Sequence, residues 1–161
     1  MGKILIRKGK IGDLKSIQEL NLILFGEEKK THDPTLSMNW TFGKAGTKVF
    51  TKSLTESNRR VFVAEADGKV IGYLAGRIHP KKDHPTRTIG KLGELDNMMV
   101  LEKYRNKGAG SELLKSFLAW CEEKNAKRIA VSAFAKNTGA IGFYKKHGFK
   151  EYNITLEAGL D

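Results

Sequence analysis

The chain has 161 residues, a net charge of +11, a hydrophobic fraction of 40% and a single cysteine. This length predicts one domain, over residues 1–161, that is large enough to bury a core. No apolar run approaches the roughly 20 residues that cross a bilayer, and basic residues interrupt the N-terminus where a signal peptide would be apolar. One cysteine, Cys121, excludes an internal disulfide and a cysteine-rich metal site, and its position among apolar residues predicts a core side chain. We therefore expect a cytoplasmic protein with no metal and no membrane partner.

The first half of the chain predicts a strand, helical segments and a hairpin. Residues 4–7 have the pattern of a short strand, and a helix follows that Asp13 caps and Gly26 ends. Residues 27–48 are polar and irregular, and residues 50–57 predict one or two helical turns. Asp67 and Gly68 separate two apolar runs, at 61–66 and 69–76, which is typical of a hairpin with a type I′ turn.

The second half alternates strands with helices. Residues 79–90 form a basic loop with Pro80 and Pro85, and residues 92–101 predict a strand. A helix at 109–124 follows because apolar residues recur every three to four positions. The remaining elements are a strand at 128–133, a helix at 137–147 and a final strand at 149–156. This order predicts a mixed α/β domain in which residues 92–133 form a right-handed parallel crossover.

A basic, glycine-containing loop lies between the strand at 92–101 and the helix at 109–124. Its residues are Arg105, Asn106, Lys107, Gly108, Ala109 and Gly110, followed by Ser111 in the helix. Helix N-termini present unpaired N–H groups and partial positive charge, and glycines allow close approach of a ligand to the backbone. The loop is therefore suited to binding a phosphate group.

Two familiar phosphate loops are excluded here. The chain has no G-x-x-x-x-G-K-[ST] sequence, and Leu113 stands where a dinucleotide fingerprint has its third glycine. The segment from Arg105 to Gly110 instead resembles the R/Q-x-x-G-x-G/A pyrophosphate loop of the GCN5-related N-acetyltransferases (GNAT family). Met99, Val100 and Tyr104 are similar to the strand end and loop of that family.

A second segment, residues 137–149, resembles the other signature of this family, N-x-x-A-x-x-F-Y-x-x-x-G-F. Asn137 also reads as a helix N-cap, and Gly148 as a left-handed residue after the helix. The two motifs occur in the family's order with a strand between them, which is far more specific than either alone. The resemblance implies the acyl-CoA N-acyltransferase (GNAT) fold, a twisted mixed sheet of about six to seven strands flanked by helices. It departs at the end of the chain, where a seventh strand is either missing or supplied by a neighbouring chain in a homodimer.

The resemblance implies an acetyl-CoA-dependent N-acetyltransferase with acetyl-coenzyme A (acetyl-CoA) as the donor substrate. The pyrophosphate would rest on backbone N–H groups of the loop, and the pantetheine arm would pair with β-strand backbone. The implied coenzyme contacts are Met98, Met99, Val100, Arg105, Asn106, Lys107, Gly108, Ala109, Gly110, Ser111, Asn137 and Tyr144.

Catalysis requires a neutral amine, a stabilised oxyanion and a protonated leaving thiolate. Tyr144 matches the family's general-acid position, although a core aromatic would have the same pattern. Glu94 and Asp96 alternate on one face of the strand that leads to the loop, so either is placed to take the amine proton. Glu94 is the first choice for the base, and Asp96 would otherwise attract the cationic acceptor. His32, His79 and His84 lie in predicted loops, and we expect them at the surface.

The sequence leaves the amine acceptor open among a protein N-terminus, a lysine and a small amine. Five acidic residues could make a local pocket for it: Glu27, Glu28, Asp33, Glu94 and Asp96. Two other functions are compatible with the same residues, a CoA-binding sensor without catalysis and a basic nucleic-acid-binding module. Nucleic acid is disfavoured because the positive charges are scattered and no aromatic residues are interleaved with them.

Overall fold

The computed structural model describes residues 3–80, 83–84, 87–88 and 90–160. Its strands are β1 (Leu5–Lys8), β2 (Arg59–Ala66), β3 (Lys69–His79), β4 (Asp83–His84), β5 (Arg87–Thr88), β6 (Leu92–Val100) and β7 (Arg128–Val131). Its helices are α1 (Leu14–Thr31), α2 (Lys44–Thr55), α3 (Ala109–Glu123) and α4 (Thr138–Lys146). None of the helices among the described residues is long and apolar enough to cross a membrane.

Five of the strands form one mixed sheet, in the order β1-β2-β3-β6-β7. Neighbours from β1 to β6 are antiparallel, whereas β6 and β7 are parallel and joined through α3. The predicted mixed α/β class and the parallel crossover are confirmed. The central sheet has five strands rather than the predicted six to seven, because residues 149–156 form no strand among the described residues.

The sheet buries an apolar core on each face. On one face α3 contributes Leu113, Leu114, Phe117 and Cys121, all fully buried, which confirms Cys121 as a core residue. Burial raises the pKa of the Cys121 thiol to about 12. On the other face α1 and α2 pack through Ile17 and Phe50 against the sheet. Each such side chain contributes about 1.5–3 kcal/mol by leaving water.

The hairpin between β2 and β3 has the predicted turn. Asp67 and Gly68 both have positive φ, at 50° and 73°, as a type I′ turn requires. β3 then extends to His79, so His79 lies at a strand end rather than in the predicted loop. Much of that loop, including Pro85, lies outside the described residues, as does the side chain of His84.

The helix boundaries differ from the sequence prediction at both ends of the 27–48 segment. α1 continues five residues past Gly26 to Thr31, because a single glycine costs a helix only about 1 kcal/mol and residues 27–31 include good helix formers. α2 begins at Lys44, before the predicted start. Asp13 lies at the N-cap position without capping α1, since its carboxylate binds Arg7 at 2.8 and 2.9 Å and accepts the Lys10 N–H.

The predicted final strand at 149–156 is wrong. Residues 149–160 have no regular structure, and Tyr152, Ile154 and Leu156 are 64%, 79% and 90% exposed. Their alternation is typical of a strand face, but alternation alone does not supply a hydrogen-bonding neighbour. β7 is therefore an edge strand within the described chain.

A buried polar network holds the turns between α1 and α2 against the sheet. Asn21, which is fully buried, donates to the Tyr73 hydroxyl at 3.0 Å and accepts from the Thr41 hydroxyl at 2.8 Å. Gln18 donates to the Thr41 carbonyl at 2.9 Å. These bonds fix the segment that lies beside the end of α1.

Candidate active site

The sheet opens between β6 and β7. β7 pairs with β6 only from Leu92 to Leu95, whereas β6 continues to Val100 with β3 as its partner. Residues 97–100, which include the predicted contacts Met98, Met99 and Val100, therefore keep backbone hydrogen-bonding groups that β7 does not use. An extended ligand with amide groups can pair with such an edge as an added strand does.

A bulge at Asp96 sets on which face of the sheet the following side chains of β6 lie. Ala75 pairs with Asn97 and Gly76 pairs with Leu95, so Asp96 is an extra residue in β6. The extra residue reverses the alternation: Leu95 and Met98 both contact the α3-side core, and Met99 enters the opposite core. The sequence pattern alone does not reveal this shift.

The loop that follows β6 ends in two left-handed residues and the open end of α3. Asn106 and Gly108 have φ values of 60° and 87°, and the first helical bond runs from Glu112 N–H to the Gly108 carbonyl. The N–H groups of Ala109, Gly110 and Ser111 therefore have no carbonyl partner within the helix. They lie at the N-terminal end of α3, where the helix dipole favours an anion.

The two cationic side chains of this loop make other contacts in the structure. Arg105 donates to the Val100 carbonyl at 2.8 Å and binds both oxygens of Glu27 at 2.9 Å. Lys107 donates to the Lys103 carbonyl at 2.7 Å. Arg105 thus connects α1, the end of β6 and the loop, and its charge is shared with Glu27.

α4 brings Asn137 and Tyr144 to the same region. The Asn137 side chain accepts from the Ala140 N–H at 3.1 Å, which confirms its capping role. Tyr144 is 8% exposed and packs edge-on against Phe143 and Phe149, with ring centroids 5.3 and 5.5 Å away. Burial, with a smaller effect of the Glu28 charge, raises the pKa of Tyr144 to about 12, so the phenol keeps its proton at neutral pH.

A cavity of about 390 Å³ lies between the end of α1 and the start of α4. Glu27, Glu28, His32 and Asn137 are among its lining residues. Burial raises the pKa of Glu28 above its ordinary value, and His32 stacks on Phe134 with ring centroids 5.6 Å apart. The extension of α1 past Gly26, which the sequence prediction missed, is what places these residues there.

The other acidic residues lie apart from this cavity. Asp33 closes a turn by accepting from the Thr35 N–H and hydroxyl. Glu94 and Asp96 meet around Arg77, which lies 2.9 Å from Glu94 and 3.3 Å from Asp96. The predicted pairing of these two carboxylates on one face is therefore seen, with a cation between them.

His79 joins this cluster through a short contact of 2.5 Å between its Nε2 atom and Glu94. Sequence reasoning missed this pairing because it placed His79 in a loop. The pairing follows from the register of the β3–β6 ladder, in which Arg77 lies opposite Glu94 and His79 opposite Leu92, and no local sequence signal reveals it.

The two carboxyl groups have opposite pKa shifts. For Glu94, burial raises the pKa, but hydrogen bonds from His79 and Arg77 together outweigh it and the net pKa is lowered. For Asp96, burial dominates and raises the pKa above its ordinary value, although Arg77 opposes it. Glu94 is thus held ionised, and Asp96 is the more readily protonated of the two.

Among the described residues, no group of three or more His, Cys, Asp and Glu side chains is arranged to hold a metal ion.

Comparisons with known proteins agree on one family. The model of the Acetyltransferase (GNAT) family matches residues 16–149. An N-alpha-acetyltransferase of Sulfurisphaera tokodaii is 39% identical over 110 residues, which cover 65% of each chain. An N-alpha-acetyltransferase of Sulfolobus acidocaldarius is 31% identical over 109 residues, or 65% of this chain and 64% of the relative. This chain thus matches less than two thirds of the length of these relatives.

A solved structure has the same fold. Aminoglycoside N-acetyltransferase AAC(6')-Iy in complex with CoA superposes with a TM-score of 0.75 over 99% of this chain and 96% of its own. Its sequence identity is 19%, so the likeness concerns the fold alone.

Proposed function

The chain belongs to the Acetyltransferase (GNAT) family, and we propose that it transfers the acetyl group of acetyl-CoA to an amine. We further propose that the acceptor is the α-amino group of a peptide or protein. Support for this acceptor comes from two relatives that carry the name N-alpha-acetyltransferase. Acetyl-CoA is the donor substrate, in line with the predicted pyrophosphate loop.

The observation that carries the proposal is the edge of residues 97–100 that β7 leaves open, which leads directly to the open N-terminus of α3. CoA has the matching chemistry, because amide groups of its pantetheine arm suit a strand edge and its pyrophosphate suits a helix N-terminus. Met98, Met99 and Val100 would hold the arm through their backbone. The loop from Arg105 to Ser111 would hold the pyrophosphate, mainly through the N–H groups of the helix start.

Glu94 and His79 are proposed to act together in removing the amine proton. A lysine-like amine has an ordinary pKa of about 10.4 and attacks only after it loses a proton. An ionised carboxylate only accepts hydrogen bonds, so beside Glu94 we assign the proton of His79 to Nε2, although Nε2 also lies 3.3 Å from the Arg77 Nε atom. This assignment leaves the other ring nitrogen to accept a proton. Asp96 stays in the proposal as a group that attracts the cationic amine, directly or through Arg77.

Tyr144 is proposed as the general acid for the leaving thiolate. Its phenol is protonated at neutral pH, and no described residue forms a hydrogen bond with its hydroxyl. A thiol has an ordinary pKa of about 8.5, so a thiolate that leaves into a low-dielectric site takes a proton readily. Tyr144 lies seven positions along α4 from its N-cap Asn137, which lines the cavity with Glu27 and Glu28, and the Glu28 charge acts on its phenol.

An acceptor panel tests this function. The rate of CoA thiol release is measured with three acceptors: a peptide with a free α-amine, the same peptide with its α-amine blocked and one lysine added, and a small diamine. We expect release with the first peptide and much slower release with the others. Preference for the blocked peptide or the diamine would contradict the proposed acceptor while leaving the reaction intact.

A second readout separates catalysis from simple binding. CoA binding is measured by calorimetry in parallel with thiol release, with Tyr144→Phe as the matched control. Binding without release by any amine would indicate a coenzyme sensor and would contradict the enzymatic proposal. Absence of binding would contradict both.

A further inference from the structure

His147, the residue after α4, contacts the proposed pyrophosphate loop. Its Nδ1 atom lies 2.8 Å from the Phe143 carbonyl, and its Nε2 atom lies 3.0 Å from the Ser111 hydroxyl oxygen. The imidazole ring also packs on the Phe143 ring, with centroids 4.4 Å apart. These contacts fix the ring between the last turn of α4 and the first turn of α3.

The Phe143 contact determines the tautomer. A carbonyl oxygen only accepts hydrogen bonds, so the Nδ1 atom must carry a proton. In the neutral ring the Nε2 atom then has a lone pair, and the Ser111 hydroxyl must donate its proton to it. The Ser111 hydroxyl would consequently present only oxygen lone pairs to an anion at the start of α3.

A second proton on the ring reverses this arrangement. The Nε2 atom then donates to Ser111, the hydroxyl proton becomes available to the anion, and a positive charge lies directly behind it.

We propose that His147 is a positioning residue for the coenzyme, which directs the Ser111 hydroxyl so that binding of the diphosphate is coupled to uptake of one proton by the imidazole. This inference rests on the proposed binding of CoA at the start of α3. His147 would thereby give the coenzyme site a hydroxyl donor on Ser111 whose direction depends on pH, in addition to the backbone N–H groups.

The elements that meet at the ring carry other charged residues. On the elements that meet there they are Lys107 in the loop, Glu112 in the first turn of α3, and Lys145 and Lys146 in the last turn of α4. Lys145 is paired with Glu151 at 2.7 Å. Lysine and glutamate ordinarily keep their charge between about pH 5.5 and 7.5, so the response in this range is assigned to histidine.

Affinity for dephospho-CoA, measured between about pH 5.5 and 7.5, tests the coupling. This probe is chosen because its diphosphate diester keeps a constant charge there. We expect the wild-type dissociation constant to fall about three- to ten-fold as the pH is lowered over these two units, which corresponds to an average uptake of about a quarter to a half of a proton on binding. In His147→Gln the amide can donate to Ser111 at every pH, so we expect an affinity that does not depend on pH. Parallel pH profiles in the two proteins would overturn the inference.

NMR titration of the histidine ring signals gives a readout that a purely structural role would not change. The chain has four histidines, and the signal absent from His147→Gln identifies the relevant one. We expect the protonation midpoint of His147 to rise when dephospho-CoA binds to the wild-type protein, and to rise less in Ser111→Ala, which keeps the ring and its Phe143 contact. An unchanged midpoint on binding would overturn the inference. Absence of binding at every pH would instead contradict the proposed coenzyme site.

Discussion

Replacement of Gly110 by aspartate should separate the stability of the fold from binding of the coenzyme. A Cβ atom at Gly110 would lie 3.5 Å from the Phe143 ring, an ordinary van der Waals contact, and φ at this position is not positive. A carboxylate in the first turn of α3 also interacts favourably with the helix dipole, by about 0.3–1 kcal/mol. We therefore expect the variant to fold with a melting temperature equal to or above that of the wild type.

The same carboxylate should strongly oppose the diphosphate. At a separation of about 5 Å and an effective dielectric constant of about 20–80, each pair of like charges costs about 0.8–3 kcal/mol. Two phosphate charges double this cost, which corresponds to a rise of at least about ten-fold in the dissociation constant of acetyl-CoA. The carboxylate also competes for the N–H groups that the pyrophosphate would use.

Isothermal titration calorimetry with acetyl-CoA measures this effect, and Gly110→Asn is the matched control of similar size without charge. We expect the asparagine variant to bind more tightly than the aspartate variant. A folded Gly110→Asp protein with wild-type affinity would refute the placement of the pyrophosphate. Equal losses in the two variants would show that side-chain volume, and not charge, causes the effect.

Four other substitutions test the remaining parts of the account. Tyr144→Phe should lower kcat by roughly 10²-fold, the scale of lost general acid catalysis, with acetyl-CoA affinity unchanged; full activity would return Tyr144 to a packing role. Glu94→Gln should lower kcat/KM most at neutral pH with partial recovery at higher pH, whereas Asp96→Asn should mainly raise the KM of the acceptor. The pH profiles of kcat/KM distinguish the two variants. A wild-type profile in Glu94→Gln counts against removal of the amine proton by Glu94. Hydrogen bonds from Arg7 lower the pKa of Asp13 below 3.8, so their stabilisation exists above that value and is lost as the pH falls through the folded-state pKa. Asp13→Asn should therefore lower the free energy of unfolding by about 3 kcal/mol at neutral pH, and this loss should shrink as the pH falls below 3.8. A loss that does not depend on pH would exclude this ion pair as its source.

Local sequence predicted the elements whose cause is local. The Asp67-Gly68 turn follows from two residues that tolerate positive φ, and α3 follows from the spacing of its buried residues. Asn137 was predicted as a cap and caps α4. The loop before α3 was also predictable, because its glycines and basic residues lie within a few positions of each other.

Features that depend on distant partners were not predictable in the same way. The extension of α1 past Gly26 has a local cause in residues 27–31, but the cavity that it forms with Asn137, more than 100 positions away in the chain, depends on the tertiary fold. The bulge at Asp96 depends on the register with β3, and the pairing of His79 with Glu94 depends on the same ladder. The tail after Phe149 has a strand-like alternation, but within the described chain no strand pairs with it. Whether a second copy of the chain pairs with β7 stays a prediction.

A structure of the protein with bound CoA tests the central claim most directly. The account predicts that the pyrophosphate lies within hydrogen-bonding distance of the N–H groups of Gly110 and Ser111. It also predicts that the pantetheine arm runs along residues 97–100 in the opening between β6 and β7. Ordered CoA elsewhere on the protein, with this opening closed by protein backbone, would contradict the account.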